Sequence, residues 1–325
     1  MHEHYLEPDR IRLVENLSYP DSGLIIADAI LKQHYRDFFE RNDGLPTLYM
    51  PASEKSKNHR SLAIIYTFFT KQNLKRSDTV HIYGGGIICD LAAYGVATFK
   101  RGCRLKLYPT TLLAMVDAAI GGKCAVNYQG FKNQIGTFYP AEEITIYPPF
   151  LQTLKPIELR QGKAEMLKCF YISEQLSDID TSDSSIPGVS QILEYAKFKM
   201  DICAQDPHDQ GIRRTLNFGH TFGHVLERLS GYRFKHGDSV IAGISAAIDL
   251  SLKLGLIDSE VDELSRKNLS SYPLPAAIDR FLSKLSIPDI LSEARQDKKN
   301  SGSALKMVLP IGYRKVAIRD VSPTL

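Results

Sequence analysis

This chain has little of what marks a secreted, membrane-bound or nucleic-acid-binding protein. Only 5 of its 325 residues are cysteine. Cys89, Cys103, Cys124, Cys169 and Cys203 are scattered, odd in number and never in a CxxC spacing. They read as reduced intracellular thiols, which excludes a disulfide frame and a zinc knuckle. No apolar run reaches the roughly 18 residues of a membrane-spanning helix. The opening MHEHYLEPDR is polar and lacks the apolar stretch of a signal peptide. Lys and Arg number 40 against 37 Asp and Glu, a net charge of +3. That balance is too even to argue for nucleic acid or a membrane as partner. A small anionic substrate stays open, because a local Lys/Arg cluster needs no basic chain. There is no internal repeat and no low-complexity tract. The expectation is a cytoplasmic globular protein.

What is present divides in two. At 325 residues the chain is long enough to fill two cores. In the first half, short apolar strands (residues 23–28, 47–50, 79–83 and 104–108) alternate with helical spacing (29–41, 57–75 and 87–99). That alternation argues an α/β fold with a parallel sheet and helices on its faces. After residue 153 helical patterns dominate, over 157–170, 190–203, 221–229, 239–254 and 261–269, until a strand at 306–309. The expected division is therefore 1–153 and 154–325. Residues 177–188 (SDIDTSDSSIPG) are rich in turn formers and read as a surface loop.

The chemistry-bearing residues cluster. His220, His224 and His236 fall within one short stretch of a chain with 9 histidines. His220 and His224 are four apart, which puts both imidazoles on one helix face. Such a pair is either an ordinary half-buried pair or two nitrogen ligands for zinc. Gly84-Gly85-Gly86 ends a strand and opens a helix. It is either a tight turn or a pyrophosphate seat on free backbone N–H groups. Asp28 and Glu54, each after a strand, are loop carboxylates or partners for ribose hydroxyls. Gly121-Gly122-Lys123 offers a point charge to an anion, and Lys132-Asn133 follows in a Gly-flanked loop. Glu165 and Lys168 share a helix face at i, i+3, as a surface ion pair does. Lys199 and Arg213 add cations upstream of the histidines.

Four blocks together resemble the 3-dehydroquinate synthase family of sugar phosphate cyclases. They are residues 109–133 (PTTLLAMVDAAIGGKCAVNYQGFKN), 164–168 (AEMLK), 213–227 (RRTLNFGHTFGHVLE) and 236–243 (HGDSVIAG). The resemblance runs in the family's order over roughly residues 28–309. It implies an N-terminal Rossmann-like nucleotide-binding α/β domain, a C-terminal mostly helical metal-binding domain and an active site in the cleft. It also implies conversion of 3-deoxy-D-arabino-heptulosonate 7-phosphate to 3-dehydroquinate and phosphate, with catalytic NAD and a divalent metal, usually zinc, or cobalt. By this resemblance Glu165, His220 and His236 are metal ligands. Lys123, Lys132, Asn133, Lys168, Lys199, Arg213, Asn217, His224 and Lys298 hold the substrate, and Asp117 lies near the reacting centre. Arg101 reaches a neighbouring subunit's phosphate site, so a homodimer is implied. Asp28, Glu54, Lys57, Gly85, Gly86, Asp90, Thr110 and Thr111 match the NAD contacts. The chain departs from the family pattern at Cys89 and Phe131, where glycine is common, and at the Ala29-Ile30 pair. Its N-terminus is short, with a leading strand reduced or missing.

Three competing readings stand beside this one. Another sugar phosphate cyclase, such as an aminodehydroquinate synthase, shares the scaffold. A metal-dependent polyol dehydrogenase of the same architecture would need no anion clamp, so the lysine and arginine cluster speaks against it. A non-catalytic NAD- or metal-binding protein would not need the full set of candidate ligands.

Overall fold

The computed structural model describes residues 6–40, 44–286, 290, 292–293 and 305–322. The chain forms two compact units. The first comprises Met1–Leu159 and Gly188–His208, the second Arg160–Pro187 and Asp209–Leu325.

The first unit is built on a six-stranded sheet. Its strands are β1 (Ile11–Leu13), β2 (Leu24–Asp28), β3 (Thr47–Met50), β4 (Thr79–Gly84), β5 (Arg104–Pro109) and β8 (Glu143–Ile146), in the order β1-β8-β5-β4-β2-β3. Every pairing is parallel. The central strands are apolar runs because both faces are covered. Ile25, Ile26, Ala27, Val80 and Ile82 are wholly buried. Helices α3 (His59–Lys71) and α4 (Gly86–Thr98) pack together, and Asn58 caps α3 by accepting from the N–H groups of Arg60 and Ser61. The α/β expectation is met.

Local departures have visible causes. Residues 29–40 form two one-turn helices, α1 (Leu31–His34) and α2 (Arg36–Phe39), where one helix is expected from spacing. The break is Tyr35 (φ −131°, ψ 45°), whose hydroxyl donates to the Pro149 carbonyl at 3.1 Å while its ring packs edge-on against Phe150. Residues 123–138 form an antiparallel hairpin, β6 (Lys123–Tyr128) and β7 (Phe131–Phe138). Lys132 and Asn133 therefore lie on a strand and not in a loop. Gln129 (φ 48°) and Gly130 (φ 82°) form the two-residue connection, left-handed at both positions as tight hairpins require. The short leading strand exists as the three residues of β1 at the sheet edge. Helix α6 (Val189–Gln205) belongs to the first unit, although the expected division at residue 153 assigns it to the second half. It packs on a turn of π-helix (Ala114–Ala118), to which Lys199 is bonded.

The second unit holds α5 (Pro156–Ile172) from Arg160 onward, α7 (His220–Leu229), α8 (His236–Lys253), α9 (Ser259–Leu269) and α10 (Ala276–Leu282). An antiparallel pair, β9 (Leu305–Gly312) and β10 (Lys315–Val321), follows. Leu226 of α7, Ala242 of α8 and Ile278 of α10 form one buried cluster, with Phe234, Leu274 and Phe281 packed on it. Residues 177–188 are without a helix or strand. All five cysteines are buried and none is in a disulfide among the described residues. No described helix is long and apolar enough to cross a membrane.

Candidate active site and metal centre

In the second unit, glycines decide how closely the helices that carry the histidines approach. Gly219 caps α7 in the left-handed region (φ 76°), and a Cβ there would lie 2.7 Å from the Val240 carbonyl oxygen of α8. Gly237 of α8 faces Ala164 of α5, where an added Cβ would meet that methyl at 2.8 Å. Its N–H donates to Gln161 Oε1 at 2.6 Å. The start of α7, the start of α8 and the middle of α5 are thereby drawn together. They deliver side chains to one point.

That point is Glu165, His220 and His236, each offering one donor atom, all within 4.8 Å of one another. Glu165 Oε1 is 3.1 Å from His236 Nε2 and 3.7 Å from His220 Nε2. The other oxygen of Glu165 accepts from Lys168. Glu165 and Lys168 are each 1% exposed, so the surface ion pair suggested by their spacing is instead a buried one. His220 Nδ1 faces the Phe218 carbonyl at 3.2 Å; a carbonyl only accepts, so the proton sits on Nδ1 and Nε2 keeps its lone pair. His236 Nδ1 faces Glu227 Oε1 at 3.3 Å. The His224 ring stands edge-on to His220, centroids 5.3 Å apart.

The electrostatics follow from burial and charge. Burial works to raise the Glu165 carboxyl, but Lys168, the His236 hydrogen bond and the two histidines hold it well below the usual carboxylate range. Burial, with Lys168 beside it, holds His220 well below its ordinary value. Burial also opposes charge on His236, yet hydrogen bonds to Glu165 and Glu227 push it up to about 10. One carboxylate and two imidazoles, one ring already presenting a bare nitrogen, match a divalent metal's donor preferences. Arg213, 2% exposed, and Asn217 lie on the 3-10 turn (Ile212–Asn217) that leads to Gly219. Asn217 Nδ2 donates to the Arg214 carbonyl at 2.9 Å, which fixes that turn.

In the first unit, the chain places β3 on one side of β2 and β4 on the other. The order reverses there, and ligands of such sheets bind at the carboxyl ends of the strands beside the reversal. Asp28 ends β2 and Gly84 ends β4, with Pro109 of β5 in register with Gly84. Gly85 caps α4, and a Cβ on it would press on Thr111 Cγ2 at 2.9 Å. Thr110 N–H donates to the Gly84 carbonyl at 3.0 Å. Burial raises the Asp28 carboxyl, opposed by the Ile30 N–H. Lys57, 4% exposed, donates to Asp90 Oδ2 and to Asn133 Oδ1. Burial raises Asp90 despite that lysine. Asn127 Nδ2 donates to Glu54 Oε1 at 2.6 Å, and Asn127 Oδ1 accepts from the Asn133 N–H at 2.9 Å. Lys199 Nζ donates to Asp117 at both Oδ1 (2.7 Å) and the carbonyl (2.6 Å).

The expected residues thus gather into three groups: Glu165, Lys168, His220, His224 and His236; Glu54, Lys57, Asp90 and Asn133; Asp117 and Lys199. Lys123 opens β6, Lys132 lies on β7, and Arg101 is exposed with a left-handed backbone (φ 64°). Lys298 lies outside the described residues. Of the departures, Cys89 is buried with its thiol donating to the Gly84 carbonyl, and Phe131 is exposed as the first residue of β7. Two contributors escape a reading of spacing alone. Asn127 joins Glu54 to Asn133 across the hairpin, which is invisible unless the hairpin is recognised. Glu227 lies two helical turns after His220, a spacing that ordinary helix faces share.

Comparison with known proteins places these features. Residues 47–161 match the family model for the 3-dehydroquinate synthase N-terminal part, and residues 162–300 match that for its C-terminal part. The 3-dehydroquinate synthase of Synechocystis sp. is 35% identical, over 96% of this chain and 86% of that protein. That of Crocosphaera subtropica is 36% identical, over 85% and 78%. The structure of 2-epi-5-epi-valiolone synthase from Streptomyces hygroscopicus, with NAD+ and Zn2+ bound, shares the fold at a TM-score of 0.82 and 21% identity, covering 97% of this chain and 93% of that one. With both family halves matched in order and relatives of this identity aligned over most of their length, the chain belongs to the 3-dehydroquinate synthase family.

Proposed function

We propose that this protein converts 3-deoxy-D-arabino-heptulosonate 7-phosphate to 3-dehydroquinate and inorganic phosphate, as a cytoplasmic, homodimeric enzyme that uses NAD and zinc. Family membership supports the activity. The observation that carries the chemistry is the meeting of one carboxylate and two imidazoles beside a buried lysine. NAD supplies a reversible hydride acceptor and the divalent metal a Lewis acid that acidifies substrate hydroxyls.

The chain's own residues have distinct tasks. Glu165, His220 and His236 hold the metal, and Lys168 fixes which Glu165 oxygen is turned toward the histidines. His224 donates or accepts a proton at a substrate hydroxyl. Lys123, Lys132, Asn133, Lys199, Arg213, Asn217 and Lys298 bind the substrate's carboxylate, hydroxyls and phosphate. Cations near the phosphate stabilise the charge it carries away as it leaves. Asp117, held by Lys199, stands near the reacting centre, and Arg101 serves the phosphate site of a second subunit. Asp28, Glu54, Lys57, Gly85, Gly86, Asp90, Thr110 and Thr111 would hold NAD, the N–H groups opening α4 offering donors to an anionic group. The conversion is redox-neutral overall, so NAD would be required only in catalytic amount.

The test is phosphate release from the heptulosonate phosphate by purified protein with NAD and zinc, repeated after chelation, while absorbance follows NADH. Chelator-sensitive phosphate release without NADH accumulation is expected. NADH accumulation with simple alcohols would make the protein a polyol dehydrogenase instead.

A further inference from the structure

We infer that Glu227 is a positioning residue for the metal centre, and that α7 thereby sets both histidine ligands. Glu227 is 4% exposed, and its Oε1 lies 3.3 Å from His236 Nδ1. Carboxylates only accept, so both ring nitrogens donate here, Nδ1 to Glu227 and Nε2 to Glu165 Oε1 at 3.1 Å; a metal would take the place of the Nε2 proton and leave the Nδ1 bond to Glu227 intact. Glu227 follows His220 by seven residues, close to two helical turns, so both side chains leave α7 on one face. One helix therefore presents His220 itself and the carboxylate that orients His236 on α8.

The backbone around Glu227 is tied down. Its carbonyl accepts from the Tyr232 N–H at 2.7 Å and from the Ser230 hydroxyl at 3.0 Å, which closes the turn after α7. The carboxylate is thus carried on a fixed frame, and the two imidazoles receive different outer partners. His220 donates to the neutral carbonyl of Phe218, His236 to an anion. An anionic acceptor behind an imidazole raises the basicity of the opposite nitrogen and locks the ring's tautomer and tilt. His236 is consequently the stronger nitrogen donor of the pair, and its donor strength is set by a buried side chain on the neighbouring helix.

This inference rests on Glu165, His220 and His236 being the metal ligands, and the experiment separates the two. Zinc dissociation constants are measured by chelator competition on folded, full-length wild type, Glu165→Gln and Glu227→Gln. Visible absorption of the Co2+-loaded proteins is recorded alongside. Glu227→Gln keeps the shape and an oxygen but removes the charge. It is expected to weaken zinc binding by about 10- to 100-fold and to shift the Co2+ bands, because the ring facing the metal has changed. Glu165→Gln is expected to lose binding far more completely. Unchanged zinc affinity and an unchanged Co2+ spectrum in Glu227→Gln, with Glu165→Gln impaired, would overturn the role of Glu227 alone. Wild-type affinity in Glu165→Gln would overturn the ligand assignment, and the inference with it.

Discussion

A Cβ added to Gly243 of α8 would stand 1.9 Å from the carbonyl oxygen of Gly219, the residue that caps α7. That separation is far inside van der Waals contact, and the obstacle is backbone, which cannot swing aside. Gly243→Ala must push α7 and α8 apart, and is expected to cost about 3 kcal/mol of stability. Because the same two helices carry His220 and His236, zinc affinity should fall with it. Gly231→Ala is the control. Nothing lies within 4 Å of its added Cβ, but its φ is +62°. The left-handed backbone alone should cost it about 1 kcal/mol. Urea unfolding of both variants checks the difference; equal losses would mean that helix approach does not depend on Gly243.

Lys199 is the second point of leverage. It is 8% exposed and gives two hydrogen bonds to Asp117 from the middle of α6. Lys199→Met keeps the aliphatic stem and removes both donors. Leaving those oxygens short of donors is expected to destabilise the first unit by about 1–3 kcal/mol. Where Lys199 also binds substrate, kcat/KM should fall by roughly 100-fold or more. Thermal melting and steady-state phosphate release check the two effects separately. A stability loss with full activity would confine Lys199 to a structural role.

Stability against pH offers a test outside the site. His81 Nε2 faces the Ser22 carbonyl and Nδ1 the Tyr108 hydroxyl, both at 3.1 Å, an arrangement served by a neutral ring. Burial lowers this imidazole from 6.5 to about 4. The unfolded chain therefore binds a proton that the folded chain refuses between those values. The contribution is fully present above pH 6.5 and lost as pH falls toward about 4. Between pH 7 and pH 4.5, wild type should lose about 2–3 kcal/mol more than His81→Gln. Denaturant unfolding at both pH values measures this, and parallel losses would mean that His81 is not held neutral by the fold.

Particular residues explain how much could be read beforehand. The runs at 24–28 and 79–84 are apolar because the strands are buried on both faces, and the glycines after β4 mark where the chain turns into α4, so the sheet and the turn at its carboxyl edge are legible. His220 and His224 are legible as a pair because a single helix fixes their relation. The polar, exposed strand β7 has no apolar alternation, and its turn uses Gln129, a residue with little preference for a left-handed backbone. That hairpin is therefore hidden. The three residues of β1 pair with β8 more than a hundred positions later, which no local pattern reports. The burial of Glu165 and Lys168 depends on α7 and α8 arriving from distant sequence. The Glu227–His236 contact depends in turn on how closely those helices pack, and so on Gly219, Gly237 and Gly243.

The most direct test of the central claim is the number of products formed per NAD. Enzyme loaded with zinc and a sub-stoichiometric amount of NAD is given excess 3-deoxy-D-arabino-heptulosonate 7-phosphate, and the carbocyclic product is counted by NMR beside released phosphate. The account predicts many molecules of 3-dehydroquinate for each NAD, phosphate equal to product, and no build-up of NADH. Product that stops at one per NAD, with NADH accumulating in step, would contradict it.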